Sequence, residues 1–309
     1  NSTNGWIPTL DKTVTDVPVA PVFNDSGIFA YGDSGSIVSM SNLVNSSGVV
    51  ASDVTGVGTA RKILAACEYG NDKAIFGYGD TGSVSSLSNL VSNTGVVATD
   101  TSGVGTARSG LAAATYGGDK GIFAYGYTSG YVSLSNLVNT SGVISADVTG
   151  VGTARGETLA ACEYSGEKDK AIFAYGYVSG YVSTSNLVSN TGVVATDTTG
   201  VGTARYEIAA CGYGNDKGIF AFGQNDSGRV SMSNLVSSSG VVATDTTGVG
   251  TARGELSACE FGEDKGIFAY GSTGSVTAVS NLVSNSGVVA TDVSGVGTAR
   301  RKQAACSFA

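Results

Sequence analysis

The chain repeats itself six times, and this internal repeat limits its possible folds more than any other feature. The hexapeptide Gly-Val-Gly-Thr-Ala-Arg recurs at spacings of 47, 47, 50, 48 and 47 residues. Two further motifs, Ile-Phe-x-Tyr/Phe-Gly and Ser-Asn-Leu-Val, recur in phase with it. A unit of this length cannot cover its own apolar faces, so neighbouring units must stack on one another. The hexapeptide begins at Gly56, Gly103, Gly150, Gly200, Gly248 and Gly295.

Each unit predicts four short strands, and no segment of it has helical spacing. In the second unit the predicted strands are 64–70, 74–79, 83–91 and 96–100. The second of these is β-branched and aromatic, and the third alternates serine with apolar residues, as a half-buried strand does. With 41% hydrophobic and only 14% charged residues, the chain is too apolar for a disordered protein. The pattern therefore predicts an all-β protein.

The two ends of the sequence are complementary parts of one repeat. Residues 23–32 match the second strand of a unit and the start of the loop after it, whereas residues 298–309 match a crossover and a first strand. An open array would leave exposed sheet edges and need polar caps. We therefore predict a six-bladed β-propeller of four-stranded blades, closed where the C-terminal strand completes the N-terminal blade. The propeller covers residues 22–309. Residues 1–21, which hold Trp6, form a tail that is either an anchor on a partner subunit or a disordered terminus.

Composition excludes several classes of function. The chain has no histidine, which removes Ser-His-Asp and Cys-His catalysis and histidine-ligated zinc. Its net charge is −8 without a basic cluster, so nucleic acid is not expected as a partner. No run of about 18 apolar residues occurs, so insertion into a membrane is not expected. We expect no cofactor and no metal: a thiolate ring and a calcium loop near Asn225 are the alternatives, and no calcium-loop motif is present.

Three residue types recur at fixed positions of the repeat. An aspartate precedes each crossover and an arginine ends it, and either set could bind a ligand or serve the scaffold. Catalytic sites are asymmetric, so a residue present six times favours a scaffold role, with each arginine bonding carbonyls or the aspartate of its blade. Five cysteines, which we expect to be buried and unpaired, share one position of the first strand with Ala114. The arginines are Arg61, Arg108, Arg155, Arg205, Arg253 and Arg300, and the cysteines are Cys67, Cys162, Cys211, Cys259 and Cys306.

The repeat resembles two known kinds of repeat. Its order, Thr-Ala-Arg-x-x-x-Ala-Ala and then Ile-Phe-x-Tyr-Gly, is similar to the kelch repeat, although the kelch double glycine and later tryptophan are absent. Its exact sequence, which includes Ser-Asn-Leu-Val-Ser-Asn-Thr-Gly-Val-Val-Ala-Thr-Asp, resembles repeats in virion proteins of marine bacteriophages. The resemblance covers residues 22–309. It implies a kelch-like propeller in a virion that is made in a host cytoplasm, with other virion proteins contacted through the tail.

Differences between the copies mark the candidate binding surface. They concentrate in the loop after the second strand and in the residues after the repeated arginine, and in an up-and-down blade these segments lie on one face. The loops carry tyrosines that could stack on sugar rings, or they vary because nothing constrains them. The candidate ligand-binding residues are Tyr127, Tyr131, Tyr177, Tyr181, Tyr206, Gln224, Asn225 and Arg229.

These features predict a binding or structural module without enzymatic activity. The leading hypothesis is a phage fibre, spike or decoration protein whose loops bind a host-surface glycan or protein. One alternative is a structural virion module with no external ligand. The other is a propeller that cleaves polysaccharide with paired carboxylates.

Overall fold

A computed structural model describes residues 25–308, and this part of the chain is all-β. The predicted tail, residues 1–21, lies outside the described residues. The only helical element among residues 25–308 is one 3₁₀ turn, Gly166–Lys168. The strands are β1 (Ser26–Ala30), β2 (Ser41–Val44), β3 (Ala65–Tyr69), β4 (Lys73–Gly77), β5 (Ser88–Val91), β6 (Ala112–Tyr116), β7 (Lys120–Ala124), β8 (Ser135–Val138), β9 (Ala160–Tyr164), β10 (Lys170–Ala174), β11 (Ser185–Val188), β12 (Ala209–Tyr213), β13 (Lys217–Ala221), β14 (Gln224–Asn225), β15 (Gly228–Arg229), β16 (Ser233–Val236), β17 (Ser257–Phe261), β18 (Lys265–Ala269), β19 (Ser280–Val283) and β20 (Ala304–Phe308).

The strands form small antiparallel sheets of three strands, joined in the same way in each repeat. The predicted first and second strands pair as a hairpin, and the Ser-Asn-Leu-Val strand pairs with the second. One further hairpin, β14 with β15, lies in the fifth copy of the variable loop. The sheets are β20-β1-β2, β3-β4-β5, β6-β7-β8, β9-β10-β11, β12-β13-β16 and β17-β18-β19.

The predicted fourth strand is absent, so the expectation of four-stranded sheets is wrong for the described residues. The segment 96–101 makes only isolated bridges, Val91 with Val97 and Ser88 with Thr101. The reason is the buried Asn89, whose side-chain amide donates to Ala98 O at 2.9 Å. That carbonyl would otherwise accept from a backbone N–H of the ladder, so a side chain replaces part of the strand pairing. The third strand is also shorter than predicted, since β5 is only Ser88–Val91.

The first strand of each repeat lies innermost and packs against the first strands of two other sheets. Strand β3 contacts β6, β6 contacts β9, and the contacts continue in the same way through β12, β17 and β20. Strand β20 in turn contacts β3. The last strand, β20, pairs with β1 in the register Ser26 to Phe308. Aromatic rings fill the space between sheets: the Tyr31 and Phe76 rings, for example, meet edge to face at 5.4 Å. The fold is therefore all-β and propeller-like.

The repeated arginines are part of the scaffold. The guanidinium of Arg61 lies 4.3 Å from the Tyr31 ring centre and donates to Thr59 O and to Asn89 Oδ1. Asp100, 3.6 Å from this guanidinium, accepts from the backbone N–H and hydroxyl of Thr59. These contacts fix each crossover to the sheet that it enters. All six arginine side chains are fully buried, which favours the scaffold role over ligand binding at their positions.

All five cysteines are buried and unpaired, as predicted. The thiols pack between sheets: a Cβ on Gly121 would overlap Cys67 Sγ. Burial raises the pKa of the Cys67 thiol, which makes it a poor nucleophile. Across residues 25–308, no helix has the length and apolar character needed to cross a membrane.

Candidate functional site

The two variable segments of each repeat lie side by side, as the sequence predicts. In every repeat, the residue after the crossover arginine pairs through an isolated antiparallel bridge with the first residue of a loop that follows a second strand. This pairing joins the two segments within each pair, and we call the face that they form the loop surface. The pairs are Lys62 with Asp80, Ser109 with Tyr127, Gly156 with Tyr177, Tyr206 with Gln224, Gly254 with Ser272, and Arg301 with Asp33.

Five tyrosines meet on this loop surface, and we call them the tyrosine surface: Tyr127, Tyr131, Tyr177, Tyr181 and Tyr206. Adjacent ring centres are 5.0–6.1 Å apart. Most of the pairs are edge to face, whereas Tyr181 and Tyr206 stack with an interplanar angle of 12°. Such contacts fix ring orientation in advance of any ligand. The structure therefore brings together all five tyrosines that the sequence singled out.

The tyrosine surface is half-buried and keeps polar groups at its edge. Tyr127 is the most exposed of the five rings, at 40%. The Tyr131 hydroxyl donates to Glu157 Oε1 at 3.5 Å. Burial, followed by the charge of Glu157, raises the pKa of Tyr131 to about 12, so its hydroxyl stays protonated at neutral pH. The surface thus offers ring faces together with hydroxyl donors and a carboxylate acceptor.

The other three predicted residues lie beside the tyrosines on β14 and β15. Gln224 pairs with Tyr206 through two backbone hydrogen bonds of 2.8 and 3.0 Å. The Asn225 side chain accepts from Ser227 N at 2.9 Å, so it shapes the turn. Arg229 donates from Nη2 to Ser272 Oγ at 3.3 Å, and its buried Nε has no hydrogen-bond partner among residues 25–308. Of the three residues, Arg229 is the one whose side chain carries a charge.

Sequence reasoning missed Glu207, which follows Tyr206 directly. Burial and the nearby Glu255 raise the pKa of Glu207 to about 7, against the opposing charges of Arg229 and Lys302. Its Oε2 atom is buried and has no hydrogen-bond partner in the part of the chain that the structure describes. The signal in the sequence was a glutamate recurring after the crossover in only some of the repeats. A carboxyl group near half protonation can donate or accept a hydrogen bond at neutral pH.

The inner strands enclose a cavity of about 90 Å³ toward this loop surface. Its rim carries an apolar residue in five repeats and Gln303 in the sixth. Ligand pockets usually enclose roughly 300–1,000 Å³, so this cavity is small for a ligand pocket. The apolar rim residues are Leu64, Leu111, Leu159, Ile208 and Leu256.

A second polar group, also missed from the sequence, lies deeper along the inner strands. Carboxylate oxygens of Glu68, Glu163 and Glu260 lie within 4.8 Å of one another, and oxygen ligands in such a group could hold a cation. The ammonium group of Lys168 contacts Glu68 and Glu260. The signal for this group in the sequence was the turn at residues 165–169, which is two residues longer than the equivalent turn at residues 70–72.

Comparisons with known proteins yield no family model and no curated protein that matches this chain.

Proposed function

We propose that this protein is a closed six-bladed β-propeller that binds carbohydrate through its tyrosine surface and has no enzymatic activity. Closure is supported by the pairing of β1 with β20 and by the circular order of contacts among the six inner strands. The observation that carries the binding function is the contact among five tyrosine rings from adjacent repeats.

The chemistry of the surface suits a sugar. A pyranose ring presents C–H groups on its faces and hydroxyls at its edge, which match aromatic faces and polar neighbours respectively. Tyrosine loses little conformational entropy on binding, and mutual packing restrains these rings further. Glu157 and Arg229 at the edge can bond sugar hydroxyls. We also propose that the protein is a virion fibre, spike or decoration protein whose target is a host-surface glycan. The support for this setting is the sequence resemblance, and antibody labelling of purified phage particles tests it.

A glycan array followed by calorimetry tests carbohydrate binding. We expect saturable binding by the native protein and a loss of about tenfold or more in affinity when Tyr127 and Tyr177 are both replaced by alanine. Val84→Ala is the matched control, because Val84 pairs with Asp80 as Tyr131 pairs with Tyr127. The control should bind as the native protein does. If no glycan binds, the alternative of a structural module without an external ligand is favoured.

The raised pKa of Glu207 beside Tyr206 favours one second candidate, polysaccharide cleavage with Glu207 as general acid. Shortened polysaccharide chains after incubation, and their absence with Glu207→Gln, would support cleavage. Intact chains together with binding would support the non-enzymatic function.

A further inference from the structure

One position of the inner strands alternates between glutamate and smaller residues. In the order in which the strands contact one another, the residues are Glu68, Thr115, Glu163, Gly212, Glu260 and Ser307. Every second inner strand thus carries a carboxylate toward the cavity that all six strands line. This threefold pattern departs from the sixfold repeat of the scaffold and therefore needs its own explanation.

The smaller residues make room for the glutamates or hold them. A Cβ on Gly212 would overlap Glu260 Oε1 and lie 3.1 Å from Glu163 Oε1, so a side chain at this position would displace the Glu260 carboxylate. Ser307 accepts from Glu260 N at 2.9 Å and donates to Glu260 O at 3.2 Å. Thr115 Oγ1 likewise accepts from Glu68 N at 3.3 Å. The alternation therefore directs three carboxylates into one small space.

The turn after β9 places the ammonium group of Lys168 in this space. It runs Ser165-Gly166-Glu167-Lys168-Asp169 before β10, two residues longer than the turn Gly70-Asn71-Asp72 before β4. Ser165, Glu167 and Lys168 all have left-handed φ, at 70°, 61° and 53°. Non-glycine residues adopt this conformation at a cost that the surrounding contacts must offset. Here the contacts that can offset this cost are those of the Lys168 ammonium group and the backbone hydrogen bonds that join the turn to its two neighbours.

That ammonium group lies among the carboxylates. Its Nζ is 2.8 Å from Glu68 Oε2, 3.0 Å from Glu68 Oε1 and 2.5 Å from Glu260 Oε2. The side chains of Glu68 and Glu260 are only 9% and 6% exposed, and that of Lys168 is 18% exposed. Burial and the charge of Glu260 raise the pKa of Glu163, whereas the surrounding carboxylates outweigh burial and raise the pKa of Lys168. The ammonium group is thus charged and is held by at least two carboxylates.

We propose that the three glutamates form a cation site of the inner cavity whose resident cation is the chain's own Lys168. Three carboxylates this close repel one another strongly in a buried space, and a single ammonium group offsets that repulsion. Lys168 is supplied by the turn, so the turn is fixed across the cavity and three of the six sheets are linked through one charge. The site lies at the other end of β9 from the tyrosine surface, and the proposal stands independently of carbohydrate binding.

Replacing the resident cation tests this proposal. In Lys168→Met, we expect amides of residues 163–169 to lose about a hundredfold of their hydrogen-exchange protection, because one partner of a buried ion pair is removed. The vacated carboxylates should then take a cation from solution. Millimolar Ca²⁺ should raise the melting temperature of this variant and not that of the native protein. Acidification from pH 8 to 5 should also stabilise the variant, since protonation relieves the same repulsion.

Two further variants make the result decisive. Lys217→Met is the matched control, because Lys217 is at an equivalent turn and, among residues 25–308, its ion pair is with the adjacent Asp216 alone. Adding Glu68→Gln, Glu163→Gln and Glu260→Gln to Lys168→Met should abolish the Ca²⁺ response and recover stability, and this combination remains informative even if the single variant folds poorly. The proposal is overturned if Lys168→Met matches Lys217→Met in exchange and in its response to Ca²⁺.

Discussion

The residues of the candidate site are those at which some repeats depart from the shared repeat sequence. The tyrosines replace residues such as Asp80 and Val84 of another repeat, and the backbone around them is unchanged because the same bridges form in both. Chemistry is therefore added to this fold by side-chain substitution on a fixed loop framework. The same holds for Glu207, where the substitution places a carboxyl group among both acidic and basic neighbours.

Glu207 predicts a pH dependence of stability. Its pKa is about 7 in the folded chain, above the ordinary value of about 4.3 for glutamate, so the protonated form favours folding. That contribution is complete below pH 4 and is lost as the pH rises through 7. We expect the melting temperature to fall between pH 5 and pH 8 by less in Glu207→Gln than in the native protein. Glu263→Gln, at an exposed turn, should leave the native profile unchanged.

At the scale of the elements, one aspartate carboxylate per sheet hydrogen-bonds the crossover to the segment in which a fourth strand was predicted. Asp147 accepts from Thr106 N at 3.0 Å, from Thr106 Oγ1 at 2.6 Å and from Asn136 Nδ2 at 2.9 Å. Burial alone would raise the pKa of Asp147, but these hydrogen bonds outweigh it and lower that pKa. The aspartate thus joins a crossover to the outer segment of the next sheet without a continuous ladder.

Asp147→Asn tests this connection. In asparagine one of the two carboxylate oxygens becomes NH₂, which cannot accept, so either the Thr106 hydroxyl or the Asn136 amide loses its acceptor. We therefore expect the free energy of unfolding at pH 7 to fall by about 1–3 kcal/mol. Because the folded pKa is lowered, the contribution of Asp147 is present above the ordinary pKa of about 4 and is lost as the pH falls through the folded value. Urea unfolding should therefore separate the variant from the native protein at pH 7 and bring the two together in strong acid. Asp119→Asn, whose carboxylate pairs with the adjacent Lys120, should show no such loss.

The elements also show what sequence could and could not predict. The hairpin of the first two strands was predicted to within two residues, because alternation and aromatic content signal paired strands directly. The prediction of a fourth strand was wrong. Val-Val-Ala-Thr-Asp has strand propensity, but the Asn89 side chain, which lies in another segment, donates a hydrogen bond to Ala98 O in place of a backbone N–H. The tyrosine surface was predictable because its members vary between copies. The group around Lys168 was not, since it depends on how the inner strands meet in space.

At the scale of the whole molecule, the contacts of β20 decide whether the sheets close into a ring. Ser26 pairs with Phe308 as Lys265 pairs with Phe261 in a neighbouring repeat, where the three residues Gly262-Glu263-Asp264 make the turn. Closure in one chain and exchange of β20 between two chains would give the same strand pairing. Only closure within one chain places Phe308 close enough to Ser26 of the same chain for a turn of natural length to join them.

A circular permutant separates the two arrangements. Joining residue 309 directly to Asn24 leaves three residues, 309, Asn24 and Asp25, between Phe308 and Ser26, the same number as in the turn after Phe261. Ala309→Gly should be included, because Gly262 at the corresponding position has a φ of 57°. New termini between Gly118 and Asp119 interrupt an equivalent turn, and the backbone hydrogen bonds on the two sides of the cut, to Lys168 O and from Gly70 N, run to other turns and need not break. We expect a monomer by light scattering that melts close to native residues 24–309, because the new link replaces the connection that is cut and the unfolded chain stays linear and of the same length. A permutant that unfolds or assembles only as a dimer would show that β20 does not complete the first sheet within its own chain.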